Sequence, residues 1–194
     1  MEPPSDAACG GGLVTGLEPF LEAGVRTATP LLLAAIGEAV AERAGVINIG
    51  LEGCIIAGAY AAFGAAGVSP VAGYGAAMLA GTAIGALLAI FSIALRRDQI
   101  IVGTALTMLA LGATGTLFRA RGADAALVVE ATVVRVPGLS EIPLIGGALF
   151  AQPVIAYVAV AAVPAVWWFL YRTHGGLSLR AVGESPSAAR SAGV

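Results

Sequence analysis

Long apolar segments separated by short polar turns dominate the chain. No charged residue occurs from Gly53 to Leu95, and as a helix this stretch would measure roughly 64 Å at about 1.5 Å per residue. That length is about twice the roughly 30 Å hydrocarbon core of a bilayer. The stretch must therefore turn once, and Gly67-Val68-Ser69-Pro70 supplies the turn chemistry. This pattern predicts an all-α polytopic membrane protein.

The same pattern divides the chain into five transmembrane segments and the regions between them. The segments are predicted at about residues 27–42, 49–66, 70–95, 99–118 and 153–171. Residues 1–26 are expected to form a disordered or interfacial N-terminus. Residues 119–152 carry both charge signs, a valine-rich alternating stretch and several turn residues, which predict an external loop with some extended structure. The first segment is short and polar, so it could cross the membrane or re-enter on one side.

Composition and charge exclude several classes of function. Hydrophobic residues make up 58% of the 194 residues and charged residues 11%, with a mean hydropathy of +0.91, whereas a soluble domain has about 25% charged residues. All ten basic residues are arginine, so the lysine of an ATPase phosphate loop is missing. A net charge of -2 without a basic run argues against nucleic-acid binding. Neither catalytic motifs nor metal-ligand spacings occur, so we expect no enzyme activity, cofactor or metal.

The arginines also predict an orientation, because cytoplasmic loops of membrane proteins carry an excess of basic residues. Five arginines share one predicted side and three share the other: Arg96, Arg97, Arg172, Arg180 and Arg190 against Arg119, Arg121 and Arg135. Residues 172–194 are therefore expected in the cytoplasm. Counting back through the segments places the N-terminus outside, provided that every segment crosses.

The most informative polar stretch runs from Glu42 to Gly53, at or close to membrane depth. Ionisable groups there cost about 2.5 to 3.5 kcal/mol each, so they persist where they are paired or useful. One interpretation is a cytoplasmic loop with solvated charges. The other is a broken helix whose backbone lines a polar pathway, with Glu38, Asn48 and Glu52 as candidate pathway residues.

Four sequence blocks, in this order, resemble the permease subunits of bacterial ABC importers for nucleosides and simple sugars, in the branched-chain amino acid and ribose permease superfamily. The blocks are TPLLLAA followed by ERAGVINIGLEG, then RDQIIVG, IPLIG and GLSLRAVGESP. The resemblance covers nearly all residues from about 27 onward. It implies that residues 27–194 form one permease transmembrane domain.

The last block also contains a pair of residues that predicts the start of a helix. Ser185 followed by Pro186 is typical of a helix start, with serine as the cap and proline at the first helical position, and a short helix over residues 187–192 should follow. The resemblance implies that this cytoplasmic segment contacts the ATPase subunits. The docking residues implied are Gly183, Glu184, Ser185, Pro186, Ala188 and Ala189.

The resemblance further implies a transport subunit that moves nucleosides or simple sugars across the cytoplasmic membrane of a bacterium and performs no chemistry. The implied partners are ABC ATPase subunits, a second permease chain and an extracytoplasmic substrate-binding lipoprotein. An ion-coupled secondary transporter is the alternative, in which Glu38, Glu42 or Glu52 would exchange protons within the membrane. Family members continue for several spans beyond AVGESP, so a C-terminally truncated permease is expected.

Overall fold

A computed structural model describes residues 9–121, 133–135, 138 and 146–193, and these residues are mainly helical. The helices are α1 Cys9–Arg43, α2 Leu51–Ala66, α3 Pro70–Ala89, α4 Gln99–Arg121, α5 Gly146–Phe150, α6 Val154–Arg172, α7 His174–Glu184 and α8 Pro186–Ser191. Four helical stretches are long and apolar enough to cross a membrane: Pro19–Arg43, Pro70–Ala94, Gln99–Arg121 and Val154–Arg172. Helix α2 is apolar but has only 16 residues. The predicted all-α polytopic fold class is confirmed.

Helix α1 begins earlier than the sequence predicts. A continuous helix of 35 residues begins at Cys9, so residues 9–26 are helical, and their expected position at the membrane interface stays a prediction. Glu22 and Arg26, one turn apart, form an ion pair at 2.6 Å that supports the helix. The Thr29 hydroxyl donates to the Val25 carbonyl at 2.8 Å. Residues 1–8 lie outside the described residues.

The predicted turn between the second and third segments is confirmed. The Ser69 hydroxyl oxygen accepts a hydrogen bond from the Ala72 backbone N–H at 3.1 Å. Pro70 occupies the first turn of α3, where its missing N–H leaves no donor unsatisfied. Serine and proline at neighbouring positions thus determine where α3 begins.

Helix α3 ends in a different way from the other helices. A π-helical turn over Ile90–Ala94 continues it, and Arg96 then adopts a left-handed conformation with φ of 52°. The Asp98 carboxylate accepts hydrogen bonds from the backbone N–H groups of Ile100 and Ile101 at 2.8 and 3.2 Å. This aspartate cap begins α4 directly after the predicted tight turn.

The chain divides into two compact units, one comprising residues 1–33 and 131–165 and the other residues 34–130 and 166–194. Within the first unit, strands β1 Val133–Arg135 and β2 Ala151–Pro153 pair antiparallel. Gln152 is 1% exposed and its Nε2 donates to the Ala148 carbonyl at 2.7 Å. The expected extended structure in the external loop is therefore present in its described residues.

Within the second unit, α2 packs against α3 and α4 through small residues. A Cβ atom at Gly58 would lie 3.4 Å from the Ala77 carbonyl, and one at Gly73 would lie 3.4 Å from the Ala62 carbonyl. Large apolar side chains point outward instead, and Met78 is 74% exposed. This arrangement of small residues inside and large apolar residues outside suits helices surrounded by lipid.

Candidate substrate pathway and docking segment

Helix α1 ends in a glycine-based C-cap that starts the polar turn, which we define as residues 44–50. Gly45 has φ of 82°, a left-handed conformation that glycine adopts without steric cost. The Val46 N–H donates to the Ala41 carbonyl at 3.0 Å, and the Gly45 N–H donates to the Glu42 carbonyl at 3.0 Å. These two bonds are the Schellman pattern. They redirect the chain sharply before α2 begins.

Side chains from two helices hold the polar turn. The Glu38 carboxylate accepts a hydrogen bond from the Asn48 backbone N–H at 2.8 Å. The Gln99 side-chain carbonyl, at the start of α4, accepts one from the Ile47 N–H at 2.8 Å. Two backbone donors of a non-helical segment are thereby satisfied, as such a segment requires wherever water is excluded. Sequence reasoning singled out Glu38 and Asn48 but missed Gln99.

Unpaired oxygen atoms remain beside these bonds. Glu38 Oε2 and Asn48 Oδ1 are both buried, and neither has a hydrogen-bond partner among the described residues. Leaving a buried acceptor unsatisfied costs about 1–3 kcal/mol, and more for a charged group. Such atoms are suited to accept hydrogen bonds from hydroxyl or N–H groups.

The other candidate carboxylates lie on the two helices that flank the polar turn. Glu52 is exposed in the first turn of α2, where a negative charge complements the helix dipole. Glu42 is exposed at the end of α1. Of the three predicted pathway residues, the structure joins Glu38 and Asn48 by a hydrogen bond in which Glu52 takes no part.

The turn leads into a close backbone contact between α2 and α4. A Cβ atom at Gly103 would lie only 2.8 Å from the Gly50 backbone nitrogen. A Cβ atom at Gly53 would lie 3.0 Å from the Cα atom of Thr107. Glycine is therefore required at these positions by space, and the N-terminus of α2 rests directly on α4.

The docking segment, which we define as residues 183–189, spans the junction of α7 and α8. Helix α8 covers Pro186–Ser191, close to the predicted range of 187–192. The Ser185 hydroxyl accepts from the Ala188 N–H at 3.4 Å, with Pro186 directly after the cap. The predicted serine and proline helix start is confirmed.

Exposure differs among the predicted docking residues. Glu184, Pro186 and Ala188 are exposed, whereas Gly183 is half-buried. Ala189 is only 4% exposed and packs inside the fold. The outward surface of the segment is therefore formed by Glu184, Pro186 and Ala188, together with Ser187.

Gly183 joins the docking segment to the polar turn. A Cβ atom at Gly183 would overlap the Arg43 carbonyl oxygen and would lie 3.0 Å from the Ala44 carbonyl carbon. Reciprocally, a Cβ atom at Gly45 would lie 3.2 Å from the Gly183 Cα. Two of the four sequence blocks that carry the resemblance are thus in backbone contact. Sequence reasoning did not predict this contact, although each block has a glycine at the contact point.

Comparison with known proteins gives a consistent result. Residues 20–194 match the family model described as branched-chain amino acid transport system / permease component. TsgC13 of Haloferax volcanii, provisionally named a glucose ABC transporter permease, is 39% identical over 186 residues, which cover 90% of this chain and 54% of the relative. The guanosine ABC transporter permease NupQ of Bacillus subtilis is 36% identical over 181 residues, covering 86% of this chain and 56% of the relative.

The nucleoside ABC transporter permease NupC of Lactococcus lactis is 33% identical over 177 residues, again covering 86% of this chain and 56% of the relative. The chain therefore spans a little over half the length of these curated relatives. No solved structure matches it. With a family match over residues 20–194 and relatives above 30% identity, the chain belongs to the permease component family of the branched-chain amino acid transport system.

Proposed function

We propose that this chain is a membrane-spanning permease component of an ATP-binding cassette importer for nucleosides or simple sugars. The names of its relatives, which refer to glucose, guanosine and nucleosides, support this choice of solutes. The observation that carries the coupling part of the proposal is the backbone contact of Gly183 with the end of α1. Movement of the docking segment would be transmitted to the polar turn through this contact.

In the proposed mechanism, ATPase subunits bind the docking segment through its exposed residues Glu184, Pro186 and Ala188. Gly183, Ser185 and Ala189 position those residues. ATP binding and hydrolysis by the partner shift the permease between two conformations. The permease itself performs no chemistry, and the separate ATPase chains supply the energy.

The solute pathway is proposed to pass the polar turn. Glu38 and Asn48 offer buried acceptor oxygens there, and Glu52 adds a negative charge at the start of α2. Nucleosides and simple sugars both carry hydroxyl groups that donate hydrogen bonds. Asn48 lies on the polar turn, and Glu38 accepts a hydrogen bond from its backbone N–H. Because the start of this turn contacts Gly183, movement of the docking segment would change the geometry of both acceptors.

The remaining partners follow from the same proposal. A second permease chain would complete the membrane part of the importer, and an extracytoplasmic substrate-binding lipoprotein would deliver the solute. The assembly would reside in the cytoplasmic membrane of a bacterium as a multi-pass protein. The apolar outward faces of α3 and α4 are compatible with both lipid and protein neighbours in that membrane.

The ion-coupled alternative receives less support. Two of its three carboxylates, Glu42 and Glu52, are exposed, and the Glu38 carboxylate accepts a hydrogen bond from a backbone N–H of the polar turn. The relatives are named as ABC transporter permeases, which favours the ATP-driven importer.

Co-purification with the ATPase subunits tests the docking part of the proposal. Glu184→Ala should weaken retention of the ATPase, because it removes an exposed charge from the surface that we assign to docking. Glu22→Ala is the matched control, since it removes a charge from α1 far from this segment in sequence. Membrane insertion of both variants should be normal. Equal ATPase retention by the two variants would overturn the assignment.

A further inference from the structure

Two arginines share one tyrosine ring at the end of α6. The guanidinium carbon of Arg180 lies 4.8 Å from the centroid of the Tyr171 ring, and that of Arg43 lies 5.9 Å from it. Both distances fall within the roughly 6 Å range of cation–π interactions. One exposed tyrosine therefore brings together cations from the end of α1 and from α7.

Neither of these two cations has an anionic partner among the residues that the structure describes. The ion pair between Arg26 and Glu22 is the one salt bridge found among residues 9–121, 133–135, 138 and 146–193. Glu42 adjoins Arg43 in sequence, yet it does not pair with it. In addition, Arg180 Nε is buried and donates to no acceptor among those residues. Carboxylates and phosphates are the strongest acceptors for a guanidinium N–H donor, so Arg43 and Arg180 together are suited to bind an anionic group.

The side chains around Tyr171 indicate which class of anion would bind here. Trp167 and Trp168 are 54% and 59% exposed, and Tyr171 is 43% exposed, all within the last turns of a membrane-length helix. Exposed tryptophan and tyrosine at the end of such a helix are typical of the headgroup level of a bilayer. Arg172 follows directly and is also exposed. The phosphates of lipid headgroups lie at this same depth.

We propose that Arg43, Tyr171 and Arg180 form a binding site for the phosphate group of an anionic phospholipid. The two guanidinium groups provide charge and directed N–H donors, and the tyrosine ring holds both groups in place. The aromatic side chains at the end of α6 lie beside the lipid's glycerol and upper acyl region. Anionic lipid is favoured over a partner carboxylate because the site adjoins this aromatic belt. Lipid binding here requires neither ATP nor a transported solute.

The chain carries its own reporter for this site. Trp167 and Trp168 are its only tryptophans, and the Trp167 ring lies 6.0 Å from the Tyr171 ring. Lipids with brominated acyl chains quench tryptophan fluorescence on contact. The purified chain, without ATPase subunits, is reconstituted in mixtures of brominated phosphatidylglycerol and phosphatidylcholine, and then with the bromine on phosphatidylcholine instead. The two series give the relative affinity of anionic and zwitterionic lipid at the end of α6.

We expect the wild-type chain to prefer phosphatidylglycerol. Arg43→Gln and Arg180→Gln should each lower this preference about fivefold, the ratio that corresponds to about 1 kcal/mol per basic residue at an anionic surface. Arg121→Gln is the matched control. Arg121 also lies over a tyrosine ring, that of Tyr60 at 5.7 Å, but it belongs to the C-terminal end of α4 and not to the proposed site. That variant should keep the wild-type preference. Arg43 is exposed, so its variant tests the site even if Arg180→Gln disturbs folding.

Three results would overturn the proposal. The first is equal quenching by the two brominated lipids in the wild-type chain. The second is an equal loss of preference in Arg121→Gln, which would show a general surface charge effect. The third is abolition of the preference by millimolar inorganic phosphate, which would identify free phosphate as the ligand. Failure of ATPase docking would leave the lipid result unchanged, so this proposal and the proposed function can fail separately.

Discussion

The contact between the docking segment and the polar turn should depend on the absence of a side chain at Gly183. Gly183→Ala adds one methyl group where the backbone of α7 meets the end of α1. That methyl would overlap the Arg43 carbonyl oxygen and lie 3.0 Å from the Ala44 carbonyl carbon. Gly175→Ala makes the same change in the same helix, where the nearest atom is in the Phe169 ring at 3.5 Å, an ordinary contact.

The expected difference between these two variants follows from steric overlap. Replacing glycine by alanine within a helix favours the helix by up to about 1 kcal/mol in either variant. Gly183→Ala must in addition displace the backbone of α1 or of α7, and overpacking of this kind costs about 1–3 kcal/mol. The equilibrium for separation of the two segments should therefore differ roughly 5- to 150-fold between the variants, since about 1.4 kcal/mol is tenfold.

Hydrogen–deuterium exchange measures this difference in the purified chain in lipid nanodiscs. In Gly183→Ala, the backbone amides of residues 181–192 should exchange faster than in wild type, and ATPase binding should weaken in parallel. Gly175→Ala should show wild-type exchange and binding. Identical exchange in the two variants would refute the reasoning, because it would show that the backbone contact does not hold the docking segment.

Three further substitutions test other contacts. Glu38→Leu removes the acceptor that holds a backbone N–H of the polar turn, so solute uptake should fall at least tenfold while membrane insertion persists. Glu42→Leu, at an exposed position, should transport normally. Equal uptake by the two variants would show that Glu38 has no part in transport. Gly103→Ala places a methyl group 2.8 Å from the Gly50 backbone nitrogen and should lower the free energy of unfolding by about 1–3 kcal/mol. Gly112→Ala, with open space around it, should not. Matching melting temperatures of the two variants would contradict the α2–α4 packing. Ser185→Ala should destabilise the start of α8 by about 0.5–2 kcal/mol, seen as faster amide exchange in that helix alone.

Local sequence signals predicted much of this fold. Ser69 and Pro70 marked the start of α3, and Ser185 and Pro186 marked the start of α8, because a capping hydroxyl and a proline act on the adjacent turn only. The apolar lengths likewise predicted membrane-spanning helices. Such signals need no knowledge of distant residues.

The errors and omissions have physical causes as well. The glycine-rich start of α1 resembles a flexible tail, yet glycine lowers helix propensity without removing a backbone donor, and the helix runs from Cys9. The hydrogen bond from Ile47 to Gln99 joins residues 52 positions apart. The contact of Gly183 with the end of α1 is more distant still. Neither contact follows from local propensity, because tertiary packing alone brings these residues together.

One uptake measurement decides whether this chain serves an ATP-driven importer. Vesicles containing the protein with its ATPase subunits and binding protein are given radiolabelled guanosine or glucose, with and without ATP. Uptake should require ATP and should be lost when Glu184→Ala releases the ATPase. Uptake that follows an imposed proton gradient and persists without the ATPase would contradict this role.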